Sequence, residues 1–435
     1  MDVRKVALEG LIRIIEKDKN AEEELFRLSD KVFSAAELYN LVSGTIKHKL
    51  TLDYLLMRVS KRSIKNMSLP VRNTLRLALY ELEYLKTPDY AVINSYVEIM
   101  KQKNSRSAPF VNGVLRNFLR KRAEIKFPDI NKEPVQSISI VYSHPEWMVS
   151  RWLKNYGLEN TVKICQYNNL ASKLVIRINT LKISKEKFAK ILVENNIPFS
   201  DDRIVKDSLI LHYHGNIKNL PGFDEGYWVV QGESSQLVSI ALDPREGEEI
   251  LDMCAAPGGK TTHIAALTHD RARITALDIN SNRLIRLKDN CMRLDIKSVN
   301  TITSDARSFN TKKRFDRILI DAPCSNTGVL VKRSDARWKK TPEDIFCLAD
   351  MGYKILSNAS QLVKTGGIII YSTCSIEPEE NQQLIERFLK ENSDFKADKI
   401  APYLPWKTNN DPGYYQIAQY RENIDGFFIA RLIKI

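Results

Sequence analysis

Across residues 1–125 the apolar positions recur at helical spacing. Val3, Ala7, Leu11, Ile14 and Ile15 make one stripe with charge between them. Ser34 stands where it would cap a helix over Ala35–Lys47. Pro70 opens another helix, in which Leu75, Leu79, Leu82 and Leu85 alternate with charged residues. Pro88–Asp89 begins a helix through Met100, and Pro109 precedes a last one over FVNGVLRNFLRKR. Five or more short helices predict a compact all-α bundle over residues 1–125.

Residues 126–140, with Pro128, Pro134 and little periodicity, read as a linker. Residues 141–229 then mix the two periods. HPEWMVSRWLKNYG and SKEKFAKILVENN read as helices, KLVIRINTLK and SLILHY as strands. This small α+β subdomain resembles half of a ferredoxin-like, RRM-like RNA-binding module, without the aromatic stacking signature of such modules. From residue 230 to 435 strand and helix patterns alternate, which predicts a doubly wound, Rossmann-like α/β sheet. The strand candidates are Glu249–Met253, Arg273–Asp278, Val299–Thr303, Arg317–Asp321, Gly367–Ser372 and Phe427–Ile433.

Bulk composition narrows the class. At 435 residues, 43% hydrophobic and 27% charged, the chain is globular and large enough for two or three domains. No apolar run approaches the roughly 20 residues that span a bilayer, so no membrane is expected. The N-terminal stretch lacks the apolar core of a signal peptide. Six scattered cysteines without CxxC pairs predict reduced thiols in the cytoplasm, and no structural zinc or other metal. Net charge is +13, and residues 1–125 carry 23 Lys/Arg against 15 Asp/Glu, so 23 − 15 = +8 lies there. That balance favours a polyanionic partner.

The candidate chemistry lies in the last third. Cys324, in DAPCSN (321–326), and Cys374, in YSTCS (371–375), each follow a β-branched run typical of a buried parallel strand. Ligands of open α/β sheets bind beyond the carboxyl ends of the strands, so both thiols are expected at a ligand rim. Two thiols there suggest covalent catalysis with a release step. The segment ILDMCAAPGGKTTHIA (250–265) reads as strand, small-residue loop and helix. Gly258 and Gly259 allow close backbone approach to a ligand, and the helix start offers free N–H groups. Asp278 ends the next strand, 20 residues beyond Gly258, a spacing that suits a carboxylate on ribose hydroxyls. Asp305 follows the third strand and could meet an adenine. Each Asp could equally be a cap or loop residue. Cys165, Cys291 and Cys347 have no motif and read as inert, and His263 reads as a plain helix position.

CAAPGGKT (254–261), DAPCS (321–325), STCS (372–375) and DGFFIARL (425–432), in this order, resemble the RNA cytosine-5 methyltransferases of the NOL1/NOP2/Sun family. VRNTLRLALYELEYL (71–85) and FVNGVLRNFL (110–119) are similar to the NusB-type RNA-binding helical domain. That N-terminal fusion points to the bacterial members of the family that methylate 16S ribosomal RNA. The resemblance implies a Rossmann-like domain using S-adenosylmethionine, preceded by a ferredoxin-like subdomain and a NusB-like bundle. It implies 16S ribosomal RNA as partner, free or in an early small-subunit assembly intermediate, and a monomeric enzyme. A transfer-RNA or large-subunit enzyme, or a non-catalytic NusB-like antitermination factor, are the rival readings.

By the same resemblance, Cys254, Ala255, Ala256, Pro257, Gly258, Gly259 and Lys260 would cradle the cofactor, with Arg283 beside them. Asp278 would hold the ribose, Asp305 the adenine side, and Asp321 would lie near the methionine moiety. Cys374 would be the nucleophile and Cys324 would assist release. The residues alone leave those two roles open, because DNA cytosine-5 methyltransferases attack with the PC cysteine. The chemistry fits two thiols: a thiolate added to carbon 6 of cytosine turns carbon 5 into a nucleophile. A carboxylate beside a thiol raises the thiol pKa. Asp321 is therefore assigned to the base edge, donating to the ring nitrogen when protonated, and Lys260 or Arg333 to favouring the thiolate. The chain departs from the family's pattern at Gly232, where an acidic residue is common, and at Ser334, where proline is common.

Overall fold

The computed structural model describes residues 2–213, 215–408 and 410–435. They form two compact units: residues 1–171 with 330–340, and residues 172–329 with 341–435.

The first unit is helical. Its helices are Val3–Leu11, Ala21–Ser29, Ala35–Lys47, Lys49–Val59, Leu69–Tyr84, Asp89–Asn104, Ala108–Lys121, Pro134–Tyr142 and Glu146–Asn169. Ser34 does cap its helix, accepting the Glu37 N–H at 3.2 Å. Leu8, Leu11, Leu41, Leu75, Leu79 and Phe118 are among the side chains of one continuous core. Two features depart from the sequence reading. Residues 126–140 are not all irregular: Pro134 stands in the first turn of a helix and is not a breaker. That helix buries Ile138 and is held by Thr51 Oγ1, which donates to the Ile140 carbonyl at 2.6 Å.

The second departure is the segment 330–340, which leaves the α/β unit and packs among the helices. Arg337 is fully buried there. Its Nη1 donates to the carbonyls of Lys47 and Ser143 and to Asn169 Oδ1 at 3.0–3.1 Å, and its Nη2 to the Asn168 carbonyl at 3.1 Å. Trp338 Nε1 donates to the Ile46 carbonyl at 2.8 Å, and Lys49 Nζ lies 4.4 Å from the centre of its ring.

The second unit holds two sheets. The small one is antiparallel, in the order β2-β3-β1-β4, from β1 (Leu174–Ile178), β2 (Phe199–Asp201), β3 (Ser208–Leu211) and β4 (Trp228–Val230). With the helix Lys185–Glu194 it forms the expected α+β subdomain. The large sheet has eight strands: β5 (Glu249–Asp252), β6 (Arg273–Asp278), β7 (Val299–Thr303), β8 (Phe315–Asp321), β9 (Val363–Thr373), β10 (Phe395–Ala397), β11 (Tyr414–Ile417) and β12 (Phe427–Lys434). The order is β10-β12-β9-β8-β5-β6-β7, with β11 beside β12. Strands β5 to β9 are parallel, and β12 runs antiparallel to β9. Alternate residues point to two cores. Ile250, Ile274, Leu319 and Ile370 enter one, and Leu251, Leu277, Ile318, Ile369 and Tyr371 the other. All six strands read from the sequence are present, four with moved ends; β9 starts earlier because Gly366 and Gly367 lie inside it and do not bound it.

The chain leaves β5 towards β6 and β7 on one side and continues through β8 and β9 on the other. The carboxyl ends of β5, β6, β8 and β9 therefore meet where the strand order reverses, the place where such sheets bind ligands.

Candidate active site

Four strand ends build the site. After β5 the loop 253–258 leads into the helix Gly259–Leu267. Gly258 has φ +105°, and a Cβ there would meet the Leu287 side chain at 2.9 Å. The loop is fastened to the next strand end by Asp278, which is buried. Asp278 Oδ2 accepts the Ala256 N–H at 3.3 Å and lies 3.4 Å from Arg283 Nη1, and Oδ1 accepts the Asn280 N–H at 2.9 Å. Arg283 also donates to the Ala256 carbonyl. Asp278 and Arg283, chosen from the sequence as ligands, thus also shape the loop. Cys254 lies in this loop, where burial pushes its thiol up.

Asp252, at the end of β5, is fully buried. Its Oδ2 accepts from Thr261 Oγ1 at 2.7 Å, and Oδ1 has no hydrogen-bond partner. Burial, with Asp321 nearby, pushes its carboxyl up to about 7. Asp305, beyond β7, is paired with Arg307, which holds its carboxyl below the usual range. Arg177 on β1 is buried behind the loop, with Nε on Gln231 Oε1 at 2.7 Å and Nη2 on Thr262 Oγ1 at 3.0 Å. His263 is buried, and desolvation with Arg177 nearby holds its pKa well below the usual value.

Asp321 and Cys324 follow β8, and Cys374 follows β9. Asp321 Oδ2 pairs with Lys260 Nζ at 2.6 Å, and Oδ1 accepts from Ser372 Oγ at 3.2 Å. Lys260 therefore balances Asp321, and Arg333 pairs with Glu22 at 2.9 Å within the helical unit. The two cations expected to favour a thiolate are engaged elsewhere.

The two thiols meet. Cys324 Sγ and Cys374 Sγ are 3.3 Å apart, and Cys374 Sγ is 3.1 Å from Asn326 Oδ1. Asn326 has φ +63°, a conformation asparagine tolerates, and its Nδ2 donates to the Cys324 carbonyl at 3.1 Å. Gly328 N donates to the Cys374 carbonyl at 3.0 Å, and a Cβ on Gly328 would stand 2.0 Å from the Gly426 carbonyl oxygen. That approach explains the glycine at 328, and at Gly426, in the DGFF segment, a Cβ would stand 2.8 Å from Gln419 Oε1. The Cys374 sulfur and burial together push the Cys324 thiol well up, with Glu380 adding to it. Of the pair, Cys324 is the buried thiol that keeps its proton, and it can donate that proton to the half-buried Cys374 sulfur.

The sequence reading thus placed Cys324, Cys374, Asp321, Lys260, Asp278 and Arg283 among strand ends that the fold brings to one rim. It missed Asp252, Arg177, Asn326 and Glu380. Asp252 and Arg177 lie in strands and read as ordinary polar interruptions; Asn326 and Glu380 sit in loops where no periodicity marks them. No group of three or more His, Cys, Asp or Glu side chains suited to a metal occurs among the described residues. No helix among them is long and apolar enough to cross a membrane.

Comparison with known proteins covers the whole chain. Residues 239–433 match the family model of the 16S rRNA methyltransferase RsmB/F, residues 1–120 that of the NusB family, and residues 144–218 that of the RsmF/B-like ferredoxin-like domain. The Bacillus subtilis (strain 168) protein named "Probable ribosomal RNA small subunit methyltransferase B" is 36% identical over 99% of this chain and 98% of its own. The ribosomal RNA small subunit methyltransferase B of Yersinia pseudotuberculosis serotype O:1b (strain IP 31758) is 31% identical, covering 100% of this chain and 99% of its own. The crystal structure of PH0851 is similar with a TM-score of 0.83 at 28% identity, covering 100% of this chain and 99% of that one.

Proposed function

We propose that this chain, which belongs to the 16S rRNA methyltransferase RsmB/F family, methylates carbon 5 of a cytosine in 16S ribosomal RNA through a covalent bond to Cys374. The observation that carries this reading is the 3.3 Å contact of two thiols at the ends of neighbouring parallel strands, beside the Asp321–Lys260 pair.

The residues present fit S-adenosylmethionine. The loop 254–260 offers a close backbone approach at Gly258 and the start of a helix, Asp278 keeps lone pairs for a ribose, and Asp252 Oδ1 is a buried acceptor without a protein partner. Bound there, the cofactor supplies an electrophilic methyl group on a sulfonium. Arg283 would orient the loop, and Asp305, tied to Arg307, would face the adenine side.

The reaction asks four things of the protein. The cytosine must leave its stack to reach both ligands. The Cys374 sulfur adds to carbon 6, with the Cys324 S–H as hydrogen-bond donor to the sulfur that bears the charge. As the ring electrons shift, ring nitrogen 3 takes a proton from Asp321, which Lys260 at 2.6 Å can replace. After carbon 5 has taken the methyl group, its hydrogen passes as a proton to the Cys324 sulfur, whose own proton moves to Cys374 as that sulfur leaves; the carbon 5–carbon 6 double bond re-forms, and ring nitrogen 3 returns its proton to Asp321.

The test separates the thiols. With labelled 16S ribosomal RNA and S-adenosylmethionine, Cys324→Ala should accumulate a methylated covalent adduct on a denaturing gel. Cys374→Ala and the double variant should form none. An adduct with Cys374→Ala and none with Cys324→Ala would reverse the roles. Bisulfite mapping of the RNA with and without the protein identifies the cytosine.

A further inference from the structure

Behind the two thiols lies a buried knot of hydroxyls closed by one carboxyl group. Ser325 follows Cys324, and Ser375 follows Cys374. Their Oγ atoms are 3.1 Å apart, and Thr327 Oγ1 lies 3.3 Å from the first and 3.1 Å from the second. Glu380 takes both donors of Ser325: its Oε1 accepts the backbone N–H at 2.8 Å and its Oε2 the hydroxyl at 2.6 Å. Thr327 Oγ1 accepts the Ile376 N–H at 3.1 Å, and Ser375 Oγ the Glu377 N–H at 3.0 Å. Glu380 is itself fixed: it ends the turn Pro378–Glu380, and its carbonyl accepts the Tyr371 hydroxyl at 3.0 Å from the strand that carries Cys374. Ser325, Thr327 and Ser375 are completely buried, and Glu380 is 1% exposed.

A carboxylate buried among hydroxyls and amides is costly to keep, and a hydrophobic filling would be cheaper for stability alone. Its geometry suggests what the cost serves. The Cys324 loop and the Cys374 loop come from different strands, and two backbone bonds bracket them, Ala322 N to the Ser372 carbonyl at 2.8 Å and Gly328 N to the Cys374 carbonyl at 3.0 Å. Between those bonds Glu380 closes the hydroxyl cluster, with two bonds on the Cys324 side and a hold on Ser375 through the Ser325 hydroxyl. We propose that Glu380 is a positioning residue that keeps the two cysteine loops in register, so that both sulfurs stand together when the base arrives. Its catalytic meaning rests on the two-thiol reading above, whereas the register itself does not. Burial raises its carboxyl to about 7, the direction expected where solvent does not reach the charged form.

Disulfide closure serves as the ruler. Diamide, a thiol oxidant, should bridge Cys324 and Cys374 in the wild-type protein: the thiols lose two protons and two electrons, which reduce the N=N bond of diamide. Mass spectrometry of alkylated peptides follows the bridge. Glu380→Ala should slow closure by at least about tenfold, because small misplacements of reacting atoms are heavily penalised. Glu380→Gln, which keeps the shape and one acceptor, should recover part of the rate. If Glu380 acted only through its charge, its removal would lower the Cys324 pKa and speed closure. Unchanged or faster closure in Glu380→Ala overturns the proposal, as does a wild-type protein that does not bridge. Should Glu380→Ala misfold, Ser325→Ala and Ser375→Ala carry the same expectation of slower closure, and a wild-type rate in both overturns it. In catalysis Glu380→Ala should accumulate adduct as Cys324→Ala does. If Cys324→Ala forms none, the two-thiol reading fails while the closure rates still decide the role of Glu380.

Discussion

Replacing Arg337 tests whether the segment 330–340 is a structural strap of the helical unit and not a basic catalytic loop. The guanidinium makes four hydrogen bonds, to the carbonyls of Lys47, Ser143 and Asn168 and to Asn169 Oδ1. Burial opposes them, pulling the guanidinium down to about 9, and Nε has no hydrogen-bond partner. Breaking such a buried charged contact costs about 3–5 kcal/mol, and we expect about 4 kcal/mol for Arg337→Met, which keeps the stem and leaves the carbonyls without their donor. Urea unfolding, followed by far-UV circular dichroism and by the fluorescence of neighbouring Trp338, gives the value. Arg337→Lys should lose less, because an ammonium can still reach some of the acceptors. A loss below about 1 kcal/mol in Arg337→Met would show that the buried charge is balanced, and that the strap is held by other contacts.

Asp278→Ala should weaken S-adenosylmethionine binding by roughly 1.5–3 kcal/mol in calorimetry, through lost ribose contacts and a loosened Ala256 amide; unchanged affinity would remove Asp278 from the site. Asp252 carries a pH signature: its carboxyl is at about 7 when folded against 3.8 as the ordinary value. Between those values the folded chain holds a proton that the unfolded chain has lost, so this group's contribution to stability falls as pH rises through the window. Wild type should therefore gain stability relative to Asp252→Asn as pH falls from about 8 to about 5, and parallel melting curves would refute the assignment. Exposed Lys103, Arg106 and Lys121 lie in a stretch with seven cations and one anion over residues 101–125. Changing all three to Gln should flatten the salt slope of RNA binding by about 0.7–0.9 per lost phosphate contact, and an unchanged slope would place the RNA elsewhere.

Periodicity made most of the fold legible. Ser34 as a cap and the β-branched runs of β8 and β9 are local signals, and local chemistry forms those elements. What stayed hidden depends on partners far away in sequence. Pro134 reads as a breaker until Thr51 is seen to anchor the far end of the helix it opens. Arg333 reads as a cation that favours the thiolate. In the structure it pairs with Glu22, and Arg337, four residues on, satisfies backbone carbonyls. Lys260 reads as a partner for a thiolate because the sequence does not place Asp321, 61 residues away, beside it. Motif likeness singles out the candidate residues, but it does not show what each of them is bonded to.

The sheet order explains why this chemistry needs both halves of the α/β unit. The loop proposed to hold the cofactor belongs to β5 and β6, on one side of the point where strand order reverses, and the two thiols belong to β8 and β9, on the other. Lys260 and Asp321 join these sides through a 2.6 Å contact between the helix after β5 and the end of β8. A methyl donor held by the first pair of strands and a base held covalently by the second would meet at that contact. The pair therefore stands where ring protonation and methyl transfer have to be timed together. Because ring nitrogen 3 takes its proton as the Cys374 sulfur adds, Lys260→Met should lower adduct formation and methyl transfer together in a Cys324→Ala background. Adduct formation kept while methyl transfer is lost, measured on the same denaturing gel with label in the RNA or in the methyl group, would mean that Lys260 serves the methyl donor and not the ring.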